Sequence, residues 1–180
     1  MIYKFILVSD EIDDFRRDIT IDSEATFFEL HETILDSVGY AKDQITSFFL
    51  CDEDWSKKAE ITLIDMDHNS DEDVYVMEKC RLSELLEDER QKLIYVFEPL
   101  TERCFFMELR EITWGKSQDK PQIVKSVGNP PEQISPYLED LDVFVPRVDL
   151  DADLDLGNEE DFFDDDFNLE DYDEESFNDY

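Results

Sequence analysis

Glycine, histidine and basic residues are scarce in this 180-residue chain, and each shortage excludes a class of function. The sequence has four glycines, two histidines, and 16 Lys and Arg against 50 Asp and Glu. No glycine-rich phosphate-binding loop, nucleophile elbow or zinc-protease motif occurs. The formal net charge of −34 also opposes contact with nucleic-acid phosphates or an anionic membrane. We therefore expect no direct binding to nucleic acid or membrane, and a protein partner with a basic or apolar surface.

Metal ligands and redox pairs are equally sparse. The three cysteines, Cys51, Cys80 and Cys104, form no C-x-x-C pair and have no paired histidine nearby. His68 lies in an acidic loop, but Ser70 occupies the position at which a calcium-binding EF-hand loop needs glycine. The sequence gives no positive support for catalysis, and we predict neither a bound metal nor a cofactor.

Long apolar runs are also missing. No segment approaches the roughly 20 consecutive apolar residues that a membrane-spanning helix requires. Met1 leads directly into a strand-like segment without the pattern of a secretion signal. Hydrophobic residues nevertheless make up 41% of the chain, which is enough to bury a core. We expect one cytoplasmic domain followed by a tail, and the sequence leaves the oligomeric state open.

The stretch from Thr26 to Tyr40 carries the clearest structural signal. Thr26 and Glu29 have the spacing of a capping box, in which each side chain bonds a free backbone N–H at a helix start. Gly39 suits the end of a helix, and apolar residues recur between these points at helical spacing. These features predict a helix of about three turns whose apolar face is interrupted by His31.

Strand patterns occupy much of the chain on either side of this helix. The apolar stretch 2–8 and the alternating stretch 15–21 predict a hairpin before the helix. Arg17 would lie at the edge of the core with its guanidinium directed to solvent, and Ser83 would cap a second, brief helix. Further strands are predicted at 45–51, 60–64, 92–97 and 104–112.

This order of elements predicts an α+β fold in which a mainly antiparallel sheet packs against one long helix, with a β-grasp-like β-β-α-β start and an acidic C-terminal tail. We assign residues 1–112 to the core domain. Periodicity is lost in residues 113–138, which contain four of the six prolines, and we predict an extended wrap there. Residues 139–180 form the predicted tail.

The tail has the composition of an interaction segment. Residues 139–180 contain 19 Asp and Glu and one basic residue, Arg147, so an isolated tail is expected to be disordered. Aromatic residues recur between the acids, and we predict that they anchor in apolar grooves while the carboxylates steer towards a basic surface. That surface belongs either to a partner protein or to the chain's own domain; a tail that only aids solubility is the alternative. The predicted partner-binding residues are Phe162, Phe163, Asp164, Asp165, Asp166, Phe167 and Tyr172.

Several segments resemble the Ri-plasmid open-reading-frame-three family, small bacterial proteins found with plasmids and insertion elements. The resemblance rests on FRRDITI at 15–21, TFFELHETILDSVGY at 26–40, ITSFFL at 45–50, RLSELL and KLIYVF between 81 and 97, and GNPPE at 128–132. It covers residues 3–131 in matching order and spacing. Because the family has no established molecular activity, the resemblance implies a fold more than a function. It also implies that the acidic tail is an addition to the family core.

The chain departs from this family at positions that carry polar groups in relatives. A histidine is typical just after the helix, where Gln44 lies here, and a D-F-G-D-x-W-x-H stretch is typical where this chain has residues 96–105. Val96, Glu98 and Arg103 stand at the expected acidic, glycine and histidine positions. If the polar cluster forms a site in relatives, the resemblance implies that this site is largely missing here.

His31 is the candidate for a pocket, because the chain offers few other side chains of its kind. We expect it to be a histidine at the edge of the core, hydrogen-bonded to a sheet carbonyl or a carboxylate. Any surviving site should open beside it.

The sequence thus predicts a non-enzymatic interaction module of a mobile-element-associated bacterial family. One alternative is a DNA mimic, whose carboxylates imitate phosphates and inhibit a nucleic-acid-binding protein. The other is a degenerate metal-dependent hydrolase that uses His31 or the acidic loops. Regularly spaced carboxylates on a rigid surface would favour the mimic. A rise in melting temperature with divalent ions would favour the hydrolase, because a ligand that binds the folded state stabilises it.

Overall fold

The computed structural model describes residues 1–64 and 74–135, which belong to the unit Met1–Asp149; a second unit, Leu150–Tyr180, lies outside the described residues. The described strands are β1 (Ile2–Ser9), β2 (Arg16–Asp22), β3 (Ser47–Cys51), β4 (Lys57–Thr62), β5 (Val74–Val76), β6 (Lys92–Glu98), β7 (Arg103–Thr113) and β8 (Gln122–Val127). The described helices are α1 (Phe27–Val38), between β2 and β3, and α2 (Leu82–Leu85), between β5 and β6. Neither of these two helices has the length and apolar character that crossing a membrane requires.

All eight strands belong to one sheet, in the order β5-β4-β3-β6-β7-β1-β2-β8. Antiparallel hairpins pair β1 with β2, β3 with β4, and β6 with β7. Two long-range antiparallel pairings, β3 with β6 and β1 with β7, join the hairpins into a continuous sheet. The hairpin predicted before the helix is therefore confirmed, and the predicted strands 92–97 and 104–112 form a second hairpin around Pro99.

The predicted fold class is wrong. The sheet is mixed, because β4 and β5 run parallel, and the helices are short, with 12 residues in α1 and four in α2. The β-grasp-like start is also wrong, because β6 and β7 lie between β3 and the hairpin of β1 and β2. Local patterns predict single elements, whereas strand order depends on contacts between segments far apart in sequence. The acidic tail of that prediction lies outside the described residues.

Helix α1 begins and ends where the sequence predicts. The capping box is present: the Thr26 hydroxyl accepts from the Glu29 N–H at 3.2 Å, and the Glu29 carboxylate accepts from the Thr26 N–H at 2.8 Å. Gly39 follows the helix with a φ of 72°, and its N–H donates to the Leu35 carbonyl. The apolar face of α1 packs into one core with the inward side chains of the sheet. The buried residues of α1 are Phe27, Leu30, His31, Ile34 and Leu35.

Two polar side chains take positions that differ from their predictions. The N-cap of α2 is Arg81 rather than Ser83, whose hydroxyl donates to the Glu24 carboxylate at 3.0 Å. Arg17 is 4% exposed instead of reaching solvent. Its guanidinium donates to backbone carbonyls of Arg16, Ser37, Val127 and Gly128. These four acceptors replace the water that a buried guanidinium loses.

Strand β8 lies in the segment where the sequence shows no periodicity. It pairs antiparallel with β2, and all six of its residues are exposed. A strand that buries neither face has no need to alternate apolar and polar residues. The sequence pattern therefore predicted an extended segment at 113–138 but not its place in the sheet.

The turn after β8 brings the backbone of Gly128 against the connection between β1 and β2. A Cβ atom at Gly128 would lie 2.5 Å from the carbonyl oxygen of Asp14, and the residue has a φ of +68°. Gly115 has almost the same φ, +70°, but its Cβ would meet nothing within 4 Å. A side chain at Gly115 would therefore cause backbone strain alone, whereas a side chain at Gly128 would cause the same strain and a steric clash.

We expect Gly128→Ala to lower the free energy of unfolding more than Gly115→Ala does. The left-handed conformation alone costs an L residue about 1–2 kcal/mol, and at Gly128 the added methyl must also displace the Asp14 backbone. Urea unfolding of both variants, followed by tryptophan fluorescence, measures the difference. Equal losses would contradict a tight approach of this turn to Asp14.

Candidate functional site

His31 is fully buried on α1 and bonds two hydroxyl groups. Its Nδ1 lies 2.8 Å from the hydroxyl of Tyr95 on β6 and 3.2 Å from the hydroxyl of Thr46, just before β3. We call these three side chains the buried polar network. The expectation of a sheet carbonyl or a carboxylate as the partner is wrong. Nε2 of the ring has no hydrogen-bond partner in the described part of the chain.

Burial keeps the network uncharged. Desolvation, with a smaller contribution from the charge of Lys42, lowers the pKa of His31 to about 4. Desolvation also raises the pKa of the Tyr95 hydroxyl. A neutral imidazole accepts the Tyr95 hydroxyl proton at Nδ1, with the Thr46 hydroxyl near the same nitrogen, and its own proton then lies on the unpartnered Nε2. Because His31 has no exposed surface, its imidazole cannot contact a solute in this conformation.

A small cleft lies next to the network. Its volume is about 100 Å³, and Thr46 lines it together with Phe49, Lys57 and Val96. His31 is not among its lining residues. Thr46 therefore belongs both to this cleft and to the buried polar network. The other two members of the network, His31 and Tyr95, do not line the cleft.

Residues 96–105, where the resemblance implied a departure from a polar stretch, form the end of β6, the turn after it and the start of β7. Glu98 is 4% exposed, and its carboxylate accepts hydrogen bonds from the N–H groups of Leu100 and Thr101 and from the Thr101 hydroxyl. Val96 is also buried. At these positions the side chains stabilise a turn and fill space.

Arg103 joins this turn to two other parts of the domain. Its guanidinium makes a bidentate pair with the Glu11 carboxylate, with both N–O distances 2.9 Å. It also donates to the carbonyl of Glu132 at 2.7 Å, at the end of residues 128–132, which we call the GNPPE segment. A bidentate pair of this kind fixes both position and orientation.

The GNPPE segment is also held from the end of α1. The Tyr40 hydroxyl donates to the Pro131 carbonyl at 2.6 Å. The side chain of Gln133 bonds both the N–H and the carbonyl of Ala41, at 2.8 and 2.9 Å. Sequence reasoning identified GNPPE as a motif but did not predict its contacts, because its partners Arg103 and Tyr40 lie 29 and 91 residues away.

No group of three or more His, Cys, Asp or Glu side chains that could hold a metal occurs within residues 1–64 and 74–135. The acidic loop with His68 lies outside these ranges. The predicted partner-binding residues also lie outside them, and their role stays a prediction. These residues are Phe162, Phe163, Asp164, Asp165, Asp166, Phe167 and Tyr172.

The sequence did not predict the exposed apolar surface around β8. Trp114, in the connection from β7 to β8, is 70% exposed, and Val124 on β8 is 51% exposed. Ile123 and Val127 of the same strand are exposed as well. The available signal was the apolar pair Ile123 and Val124, which begins two residues after Pro121. Apolar residues close behind a proline indicate an edge strand, because proline is tolerated at the start of such strands.

Comparison with known proteins identifies a family and a solved structure to which the chain is similar. A family model described as plasmid pRiA4b ORF-3-like protein matches residues 5–177. The matched range includes most of the acidic tail, so the expectation that the tail is an addition to the family core is wrong. The crystal structure of a protein of unknown function, MM3350 from Methanosarcina mazei Go1, matches 69% of this chain and 68% of that chain, with 16% identity and a TM-score of 0.49. No curated protein matches.

Protonation of His31 must destabilise the folded state. Because the pKa of His31 is about 4 in the folded state and near 6.5 in the unfolded chain, the unfolded chain binds more protons between these values. The free energy of unfolding therefore falls as the pH falls through this window. The full shift corresponds to roughly 3 kcal/mol.

We expect His31→Gln to lose this part of the pH dependence and Tyr95→Phe to retain it, since only the first variant removes the titrating group. Urea unfolding of both variants and the unmodified protein from about pH 7 to about pH 4.5 measures the slopes. Titration of the carboxylates is common to all three proteins and cancels in the differences. Identical slopes for His31→Gln and the unmodified protein would contradict the assignment.

Proposed function

Since the chain belongs to the plasmid pRiA4b ORF-3-like protein family, for which no activity is established, we propose that it is a non-enzymatic interaction module. In this proposal the domain presents the acidic, aromatic tail, residues 139–180, to a partner protein in the bacterial cytoplasm. The tail binds a basic or apolar surface of that partner.

The composition of the tail carries the proposal. Residues 139–180 have a net charge of −18 out of −34 for the whole chain, and seven aromatic residues are distributed among the acids. The carboxylates accelerate encounter with a basic surface, because opposite potentials steer diffusion. The aromatic rings then supply apolar contact area at low conformational entropy cost. Charge alone would give a salt-sensitive association, whereas the rings add contacts that salt does not screen.

Several polar side chains of the domain bond other parts of the domain instead of lining an open site, and this supports an interaction role. His31 is enclosed, and Glu98 and Arg103, at positions where relatives carry a polar cluster, bond the backbone of turns. Groups engaged in this way hold the domain rigid. A rigid domain is a suitable carrier for a binding segment.

We expect the fourfold variant Phe162→Ser, Phe163→Ser, Phe167→Ser and Tyr172→Ser to lose its partner. The variant keeps every charge of the tail, so only the apolar anchors are removed. Crosslinking in bacterial cells followed by mass spectrometry identifies the partner, and titration with that purified partner then measures the affinity. A loss of about tenfold or more is expected, which corresponds to about 1.4 kcal/mol.

A matched control replaces Asn158, Asn168 and Asn178 of the same segment by serine, and this variant should bind like the unmodified protein. Equal affinity of the fourfold variant and the control would overturn the proposal. Displacement of the bound partner by duplex DNA would replace it with the DNA-mimic alternative, since a mimic occupies the nucleic-acid site of its target.

A further inference from the structure

The sheet ends at β8 in an open edge. Among the described residues β8 is the terminal strand, and its pairing is with β2. Such an edge presents a row of backbone N–H and C=O groups at the spacing of a β-ladder, which an extended peptide can complete by adding a strand. The exposed side chains of Val124 and Val127, at 51% and 42%, give that strand apolar surface to cover.

The same edge has features that restrict pairing to a matching partner. Pro121 precedes β8, Lys125 lies within it, and the register with β2 shifts between Asp18 and Ile19. Proline, an edge lysine and an irregular register all oppose indiscriminate edge-to-edge association. The edge is therefore suited to a partner whose side chains complement it.

A cleft beside the edge supplies that complementarity. It has a volume of about 420 Å³ and lies between the polar face of α1 and the start of β8. Lys120, Pro121 and Ile123 line the strand side of the cleft. Glu29, Glu32 and Asp36 line the helix side. A strand added to β8 would direct every second side chain towards α1, because alternate residues of a strand share one face.

The helix side of the cleft has carboxylates that a basic side chain can reach. Glu32 and Asp36 share one cation, Lys42, whose Nζ lies 3.1 and 3.0 Å from their oxygens. Their side chains remain 44% and 68% exposed. Glu29 adds a third carboxylate and Lys120 a second ammonium, so the charged groups around the cleft have an excess of one negative charge. A Lys or Arg from a ligand would neutralise this excess.

We propose that β8 and this cleft bind an extended basic segment of a partner protein. The segment adds as a strand to the β8 edge and places Lys or Arg at alternate positions among Glu29, Glu32 and Asp36. The residues between them are apolar and cover Val127, which lies on the face of the sheet directed away from α1. This surface lies outside the tail on which the proposed function depends, so the inference goes beyond that function and is tested separately.

The test uses the full chain and three synthetic peptides of about ten residues. The first alternates Lys and Val, the second has the same sequence with every backbone nitrogen methylated, and the third replaces each Lys by Glu. We expect the first peptide to bind and to slow hydrogen exchange of the β8 amides. The methylated peptide keeps the charge but cannot donate ladder bonds, so its affinity should fall at least about tenfold, and the Glu peptide should not bind.

Two charge-reversal variants locate the binding. Glu32→Lys with Asp36→Lys should weaken binding of the Lys peptide by about tenfold or more. The control, Glu78→Lys with Glu87→Lys, changes the net charge equally at exposed positions that do not line the cleft, and it should bind like the unmodified protein. Circular dichroism verifies that both variants are folded.

Equal weakening in the two variants would overturn the proposal, because net charge alone would then explain the binding. Capture of the peptide by the acidic tail would also overturn it, and would be seen as binding without protection of β8 amides. Concentration-dependent self-association that protects β8 without peptide would assign the edge to a second copy of the chain instead. The tail variant with four serines should bind the Lys peptide normally, which separates failure of this inference from failure of the proposed function.

Discussion

The ring of Phe105 on β7 is the contact point on which the arrangement of the domain depends. Its centroid lies 4.7 Å from that of Phe97, 5.0 Å from that of Phe15 and 6.0 Å from that of Tyr40. Tyr95 stacks over it at 6.5 Å. These rings come from two strands, the connection after β1 and the turn after α1, and each buried aromatic pair adds about 0.5–1.5 kcal/mol beyond its buried area. The two tyrosines extend the cluster through their hydroxyls, one to the GNPPE segment and the other to the buried polar network.

The range over which an interaction acts decides whether the sequence could predict it. The capping box of Thr26 and Glu29 and the stop at Gly39 were predictable, because every group involved lies within one helix. The partner of His31 was not, since Tyr95 is 64 residues away and no local pattern links them. Strand β8 lacked a signal for a different reason: it buries neither face, and burial of one face is what produces alternation. The parallel pairing of β4 and β5 was also not predictable, because the relative direction of two strands is not encoded in the pattern of either strand.

The departures from the family pattern make physical sense once the contacts are known. Glycine at the position of Glu98 would offer no carboxylate for the turn after β6, and histidine at the position of Arg103 would not form the bidentate pair with Glu11. In this chain, Glu98 and Arg103 therefore stabilise turns.

The first strand of the chain lies in the interior of the sheet, with β2 on one side and β7 on the other. During synthesis, β1 and β2 leave the ribosome before β7, so the other edge of β1 lacks its partner until residues 103–113 have also emerged. Pairings this distant in sequence form slowly, and unpaired strand edges are prone to aggregate. Until those residues emerge, the nascent chain carries a hairpin with an unpaired strand edge, and chaperone demand should be set by elongation rate as well as by the stability of the finished fold.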